Sequence, residues 1–333
     1  MTPRTHKPVS PWLVCGVLAG LLVALFGVSL CAGRVWAPWS AWISHGVDPR
    51  WAIVFGLRLP RTILAILVGG ALGLSGAALQ GYTRNPLADP AALGVSTAAA
   101  LGAVLTLYLG AASEATWILP LAAMIGAGLG VAALLGLAGV TSSIVTFILA
   151  GFVIQTVCGA AIALALNLAP NPWAVNEIVN WLMGSLADRS VEEVRIAAPG
   201  VLVGGVLLLS LGRSLDALTL GEQGARSLGV ELSRVRLLMA IGVAVAVGAS
   251  VAVTGVISFV GLITPHLLRP LLGSKPSAVL APSFLGGAAL TLGADILVRM
   301  TPAASEIRLS VAMAALGGPF FLAMLISMRR RLA

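Results

Sequence analysis

Arg58-Leu59-Pro60-Arg61-Thr62, then Gly69-Gly70-Ala71-Leu72-Gly73-Leu74-Ser75-Gly76-Ala77-Ala78-Leu79-Gln80-Gly81, then Asn85-Pro86-Leu87-Ala88-Asp89-Pro90: the run between residues 58 and 90 decides how this chain is read. No charged residue stands between Arg61 and Arg84. A helix of that length crosses a hydrocarbon core of about 30 Å. Gly69, Gly73, Ala77 and Gly81 lie four residues apart, a spacing that lines one helix face with small residues and lets a second backbone approach. Pro86 and Pro90 then prevent the helix from continuing, so the segment closes in a stiff loop.

The same pattern extends in both directions. Of 333 residues, 59% are hydrophobic and 10% charged, and the mean hydropathy is +1.02. A soluble domain carries about a quarter charged residues. In lipid the backbone must satisfy its own hydrogen bonds, so such a chain spans as helices; the polar–apolar alternation of a membrane barrel is missing. Apolar runs bounded by charge, Pro or Gly predict an all-α polytopic membrane protein, one domain over residues 1–333. About ten helices are expected, near 12–32, 61–82, 92–110, 117–138, 145–167, 196–213, 237–256, 259–271, 278–298 and 308–328. The run from Trp12 to Ala32 is too long for a signal peptide and reads as a retained first helix. The eighth segment is too short to span alone and is expected to be interrupted at Pro265. Lipid tolerates such a break only where the backbone is buried in protein or beside water.

An even number of crossings puts both termini on one side. Arg4, Lys7 and Arg329–Arg331 argue for the cytoplasm, as do Arg213, Arg226, Arg234 and Arg236 in the loop 213–236. The net charge of +8 is distributed over loops and the C-terminus, with no basic run interleaved with aromatics, so nucleic acid is excluded as a partner and anionic lipid fits. The first external segment, 33–61, departs from this charge rule. It carries Arg34, Arg50, Arg58 and Arg61 against Asp48. Either Arg58 and Arg61 snorkel to headgroups, or they form an electropositive platform for an acidic partner outside.

Several chemistries are missing. There is no G-x-x-x-x-G-K-[ST] loop, and the lysines are Lys7 and Lys275 alone, so the chain is not its own P-loop ATPase. His6, His45 and His266 are scattered, no catalytic motif occurs, and His266 reads as a packing or capping residue. Cys15, Cys31 and Cys158 fall in apolar runs without C-x-x-C spacing and read as small hydrophobes, leaving no metal site. Carboxylates placed for a proton relay are lacking in mid-helix, since Asp295 falls close to the outer end of its helix. The energy for any transport must come from elsewhere.

Further distinctive stretches follow in order: Leu93-Gly94-Val95-Ser96, Trp181-Leu182-Met183-Gly184-Ser185-Leu186, Leu220-Gly221-Glu222-Gln223-Gly224-Ala225-Arg226-Ser227-Leu228-Gly229, Phe259-Val260-Gly261-Leu262-Ile263-Thr264-Pro265-His266 and Gly317-Gly318-Pro319-Phe320-Phe321. With the opening run, they make the chain resemble, essentially end to end, the permease family of type II ABC importers for iron–siderophore, haem and cobalamin uptake.

The resemblance implies a non-catalytic homodimeric subunit of the bacterial inner membrane. It has no cofactor of its own; ATP and Mg belong to two partner ATPase chains below, and a periplasmic solute-binding protein delivers a metal chelate from above. Arg58, Arg61 and Arg299 match arginines that meet acidic residues of the binding protein. Asn85 and Leu87 match the cytoplasmic gate, with a second gate near Thr141, Ser142 and Ser143. The segment 219–230 matches the coupling helix that sits in the ATPase, with Leu220, Ala225 and Leu228 available for contact and Glu222 and Arg226 displayed, flanked by Gly221 and Gly229. Asn167, Trp173 and Asn176 are candidates for the substrate path. In place of the family's Glu-Leu-Pro-x-Gly this chain reads Glu306-Ile307-Arg308-Leu309-Ser310, which adds Arg308 beside the docking surface. The alternatives from other classes are a self-sufficient secondary carrier or channel, and a polytopic membrane enzyme.

Overall fold

The computed structural model describes residues 9–44, 48–139, 143–301 and 307–332. Arg4, Lys7, His6, His45, Thr141, Ser142 and Glu306 lie outside the described residues, as do the side chains of Arg329, Arg330 and Arg331.

The described residues form helices joined by turns. In chain order these are α1 (Pro11–Cys31), α2 (Arg50–Ala52), α3 (Leu59–Thr83), α4 (Val95–Tyr108), α5 (Ile118–Ala138), α6 (Ile144–Asn167) and α7 (Pro172–Leu182). They continue with α8 (Val191–Ser210), α9 (Gly212–Leu218), α10 (Gly221–Ser227), α11 (Leu232–Thr254), α12 (Val260–Leu272), α13 (Pro276–Met300) and α14 (Leu309–Leu332). A π-helical stretch, Ile53–Arg58, runs α2 into α3 without a break. Seven of the helical runs are long and apolar enough to cross a membrane, and Val95–Tyr108, Val260–Leu272 and Leu309–Met324 are shorter apolar helices. Each of the ten predicted segments overlies one of these.

Burial separates the centre from the rim. In the apolar windows of the α3 and α11 runs, 83% and 78% of residues are buried, against 17% in α1 and 22% in α6. The hydrophobic effect does not drive helices together inside lipid, so the centre must be held by close packing. The small residues supply it. A methyl group on Gly73 would collide with the Ser283 carbonyl of α13, and one on Gly69 with that of Gly287. The four-residue glycine spacing therefore marks the α3–α13 seam. On the rim, Trp12, Val17, Val23, Leu149, Phe152 and Val157 are exposed, as lipid-facing side chains are.

The eighth segment corrects the sequence expectation. Helix α12 runs unbroken through Pro265 and Pro270. Proline lacks the N–H that would bond four residues back, which leaves the Gly261 carbonyl short of a donor. Gln80 of α3 supplies one: its Nε2 donates to Gly261 O at 3.3 Å. A buried amide thus mends the ladder that the proline breaks.

Candidate functional site

Three regions carry the predicted site residues. At one end, Arg34, Arg58, Arg61, Arg189 and Arg299 line a cavity of about 190 Å³ with Asp188 at its edge. Arg58, Arg61 and Arg299 are brought together as expected, but they are buried and engaged, which corrects the picture of an open platform. Arg58 Nη1 donates to the carbonyls of Leu30 and Cys31 at 2.9 and 2.7 Å, and Nη2 to that of Val35. Arg61 donates through Nε and Nη2 to Asp295 Oδ1 at 2.9 and 2.8 Å. Arg299 Nε lies 3.0 Å from Asp295 Oδ2, while its Nη1 donates to Ser29 O at 3.0 Å and its Nη2 to the Ser29 hydroxyl. Asp295 is fully buried, not merely near a helix end, and its two oxygens are shared between two guanidinium groups. Two arginines around one carboxylate leave net positive charge at the cavity wall. Arg34 is exposed and Arg189 half-buried; burial holds the Arg189 guanidinium below its usual range, opposed by Glu193 and Asp188. Arg308 donates to Asn180 Oδ1 at 3.1 Å and sits close enough to Arg189 to repel it, so the altered segment is tied to the end of α7 beside this cavity.

The second region is the loop after α3. Arg84 takes a left-handed conformation (φ 54°) that stops the helix. Asn85 Oδ1 then accepts from Leu87 N at 3.0 Å, and Asp89 Oδ1 from Ala91 N at 2.9 Å. Each is a side chain standing in for the backbone partner that a proline-rich turn cannot provide. The end of the loop packs on α6: a methyl on Gly151 would sit 2.6 Å from the Ala92 carbonyl oxygen. Ser143 caps α6, its hydroxyl accepting from Thr146 N at 3.3 Å. Asn85, Leu87 and Ser143 thus bracket the loop and the α6 start.

The third region is the arm formed by α9 and α10. Leu220, Arg226 and Leu228 are exposed along it. Two residues expected to face a partner turn inward instead. Ala225 is fully buried, its carbonyl taken by Val230 N at 3.0 Å. Glu222 is half-buried and its Oε1 accepts from Ile144 N at 3.2 Å, so it faces α6. Gly221 (φ 90°) and Gly229 (φ 81°) hold the backbone geometry at the two ends of the turn, conformations that suit glycine. Asn167, Trp173 and Asn176 are exposed around α7, whose N-cap Asn171 accepts from Ala174 N at 2.9 Å; Asn176 accepts from Asn180 Nδ2 at 3.0 Å.

The FecCD transport family model matches residues 21–327, most of the chain. The chain belongs to the FecCD transport family. A vitamin B12 import system permease protein of Klebsiella pneumoniae is 37% identical over 96% of this chain and 95% of its own length. An Fe(3+)-citrate import system permease protein of Bacillus subtilis is 35% identical over 98% of both. A solved chain described as a metal-chelate type ABC transporter in an inward-facing conformation superposes with a TM-score of 0.85 at 31% identity, covering 95% of this chain and 99% of that one.

In this FecCD-family chain, sequence reasoning missed three buried polar groups. Its position near a helix end does not reveal Asp295 as the partner of Arg61 and Arg299. Gln80 carries no charge and no motif that marks it; a glutamine within a small-residue stripe that packs on a proline-bearing helix is the signal that finds it. Arg236, read as a loop arginine, is almost fully buried, and its Nε donates to Tyr82 Oη at 3.0 Å. Among the described residues, no cluster of three His, Cys, Asp or Glu side chains could hold a metal. His266 packs edge-on against Phe320 with ring centroids 5.6 Å apart.

Proposed function

We propose that the chain is the membrane-spanning permease subunit of an ATP-driven importer in the bacterial inner membrane. Two copies pair around the transport path, two ATPase chains bind below and a solute-binding protein docks above. The cargo is a metal chelate, with iron–siderophore complexes first and haem and cobalamin next; the cobalamin and ferric citrate permeases at 37% and 35% identity support that class. Both termini and the α9–α10 arm face the cytoplasm, and the arginine-lined cavity faces out.

The observation that carries this reading is the α10 arm. A short helix anchored from beneath by Ala225 and Glu222 exposes Leu220 and Leu228 with Arg226 between them. Leucines at the two ends of a charged segment offer a partner apolar contact on either side of a polar one. The chain has no P-loop of its own, so an ATPase groove is the partner that fits. Cargo released above would enter between the two copies, and nucleotide-driven movement of the arms would switch the gates at Asn85, Leu87 and Ser143. A ligand shifts such an equilibrium only by its differential affinity for the two states.

The test is association. An ATPase chain from the same organism should co-purify with the wild-type permease and lose that association when Leu220 and Leu228 are both changed to Glu. Equal recovery of the ATPase with both proteins would overturn the assignment of the arm.

A further inference from the structure

We propose that Glu222 is the positioning residue through which α10 moves α6 and the gate loop packed on it. The inference rests on the coupling role given to α10 above and concerns what lies behind that helix. Three contacts make a continuous path. The Glu222 carboxylate accepts from the backbone N–H of Ile144, the first residue of α6. That N–H is one of those at a helix start that have no partner within the helix. A carboxylate there also meets the positive end of the dipole of a long helix. Two turns further on, α6 touches the gate loop backbone to backbone: a methyl on Gly151 would lie 2.6 Å from Ala92 O and 2.8 Å from Leu93 Cα. The reverse face of that contact is Gly94 (φ 74°), where a methyl would lie 2.9 Å from Gly151 O. Contacts this close leave no slack, so displacement of the α6 start is passed to residues 92–94.

The other side of the α6 start rests on a fixed wall. Phe147 is fully buried and meets Tyr82 of α3 edge-on, with ring centroids 5.7 Å apart. Tyr82 is in turn held by Arg236 of α11 at 3.0 Å. The first turn of α6 therefore lies between a wall built on α3 and α11 and a carboxylate carried by the arm. Ser143 satisfies Thr146 N locally, so the bond from Ile144 is the polar link among those described that leaves α6 for α10.

The test uses the complete complex of permease, ATPase and binding protein, reconstituted in proteoliposomes. Glu222→Ala is compared with Glu222→Gln, which keeps an acceptor oxygen of the same reach, and with Glu114→Ala as an exposed carboxylate control away from the arm. Uptake is read with labelled ferric citrate and cyanocobalamin, whichever the wild-type complex accumulates. Spin labels at Gln223 and Val145, placed in a background lacking Cys15, Cys31 and Cys158, report the α10–α6 separation with and without vanadate-trapped nucleotide. Glu222→Ala should retain the ATPase and hydrolyse ATP within about two-fold of wild type, yet lose uptake about ten-fold, the scale of one charge-assisted hydrogen bond. Its label separation should change on trapping where the wild type's does not, and Glu222→Gln should recover most of both. Uptake and separation like wild type in Glu222→Ala would overturn the proposal, as would loss of the ATPase from that variant, which would make Glu222 a contact of the partner. If the wild-type permease retains no ATPase at all, the functional reading fails and takes this proposal with it, a result distinct from the other two.

Discussion

Arg61 and Asp295, 234 positions apart, close an ion pair with contacts of 2.9 and 2.8 Å where α3 meets α13. Arg299, one turn beyond Asp295, reaches the second oxygen and ties in α1 through Ser29. Three helices are therefore fastened at one end by a single carboxylate. Removing one member of a buried charge network leaves the others uncompensated, at about 3–5 kcal/mol. Asp295→Ala should accordingly lower stability by about that amount, and Asp295→Asn by less. Unfolding of the detergent-purified protein measures it, and equal midpoints for wild type and Asp295→Ala would contradict the network.

This burial bears on docking. A charge reversal at Arg61 would set two carboxylates side by side in the interior and report on folding before it reported on any partner. Arg34 is the exposed arginine of the same cavity. Arg34→Glu should weaken binding-protein association about ten-fold in low salt, converging on wild type as salt screens the contact. Surface-plasmon binding that is unchanged, with ATPase recovery intact, would remove the cavity from the docking face.

Gln80 repairs the α12 ladder at Gly261, so Gln80→Leu should cost about 1–3 kcal/mol, the penalty for a buried acceptor left without a donor. Thermal unfolding together with amide exchange at residues 261–266 would check it. Protection at those amides equal to wild type would show that α12 does not need the amide.

Asp89 supplies a pH signature. Burial pushes its carboxyl up, with the bond from Ala91 N pulling the other way. A carboxyl raised in the fold binds protons more tightly there than in the unfolded chain. Its contribution is full below the unfolded value of about 3.9 and is lost as pH rises through the folded value. Asp89→Asn keeps an acceptor for Ala91 N and removes the charge, so it should stabilise at neutral pH and give no gain once pH falls toward that unfolded value. Destabilisation by Asn at neutral pH would reverse the sign of the account.

Much of this was legible in the sequence because lipid imposes simple demands. Charge-free runs bounded by Pro and Gly mark the apolar helices of the described residues, and the Gly69–Gly73 spacing marks the seam on which Ser283 and Gly287 lie. What failed to show had specific physical causes. The continuity of α12 through Pro265 depends on a side chain 181 positions away. The burial of Arg61 depends on a carboxylate 234 positions away. The orientation of α10 could not be read because Gly221–Ser227 spans 7 residues, about two turns, too few for apolar periodicity to say which face is inward. Leu220 and Leu228 turned out exposed, whereas Ala225 and Glu222 turned in.

On the proposed function, this chain moves nothing unaided and its motion is imposed by ATP hydrolysis on a neighbouring chain. Uptake of labelled cyanocobalamin and ferric citrate into proteoliposomes decides this, comparing the permease alone with permease plus ATPase, binding protein and internal ATP. Accumulation should appear only with the full set and should stop when ATP is replaced by a non-hydrolysable analogue. Uptake by the permease alone, above that of protein-free vesicles, would contradict it.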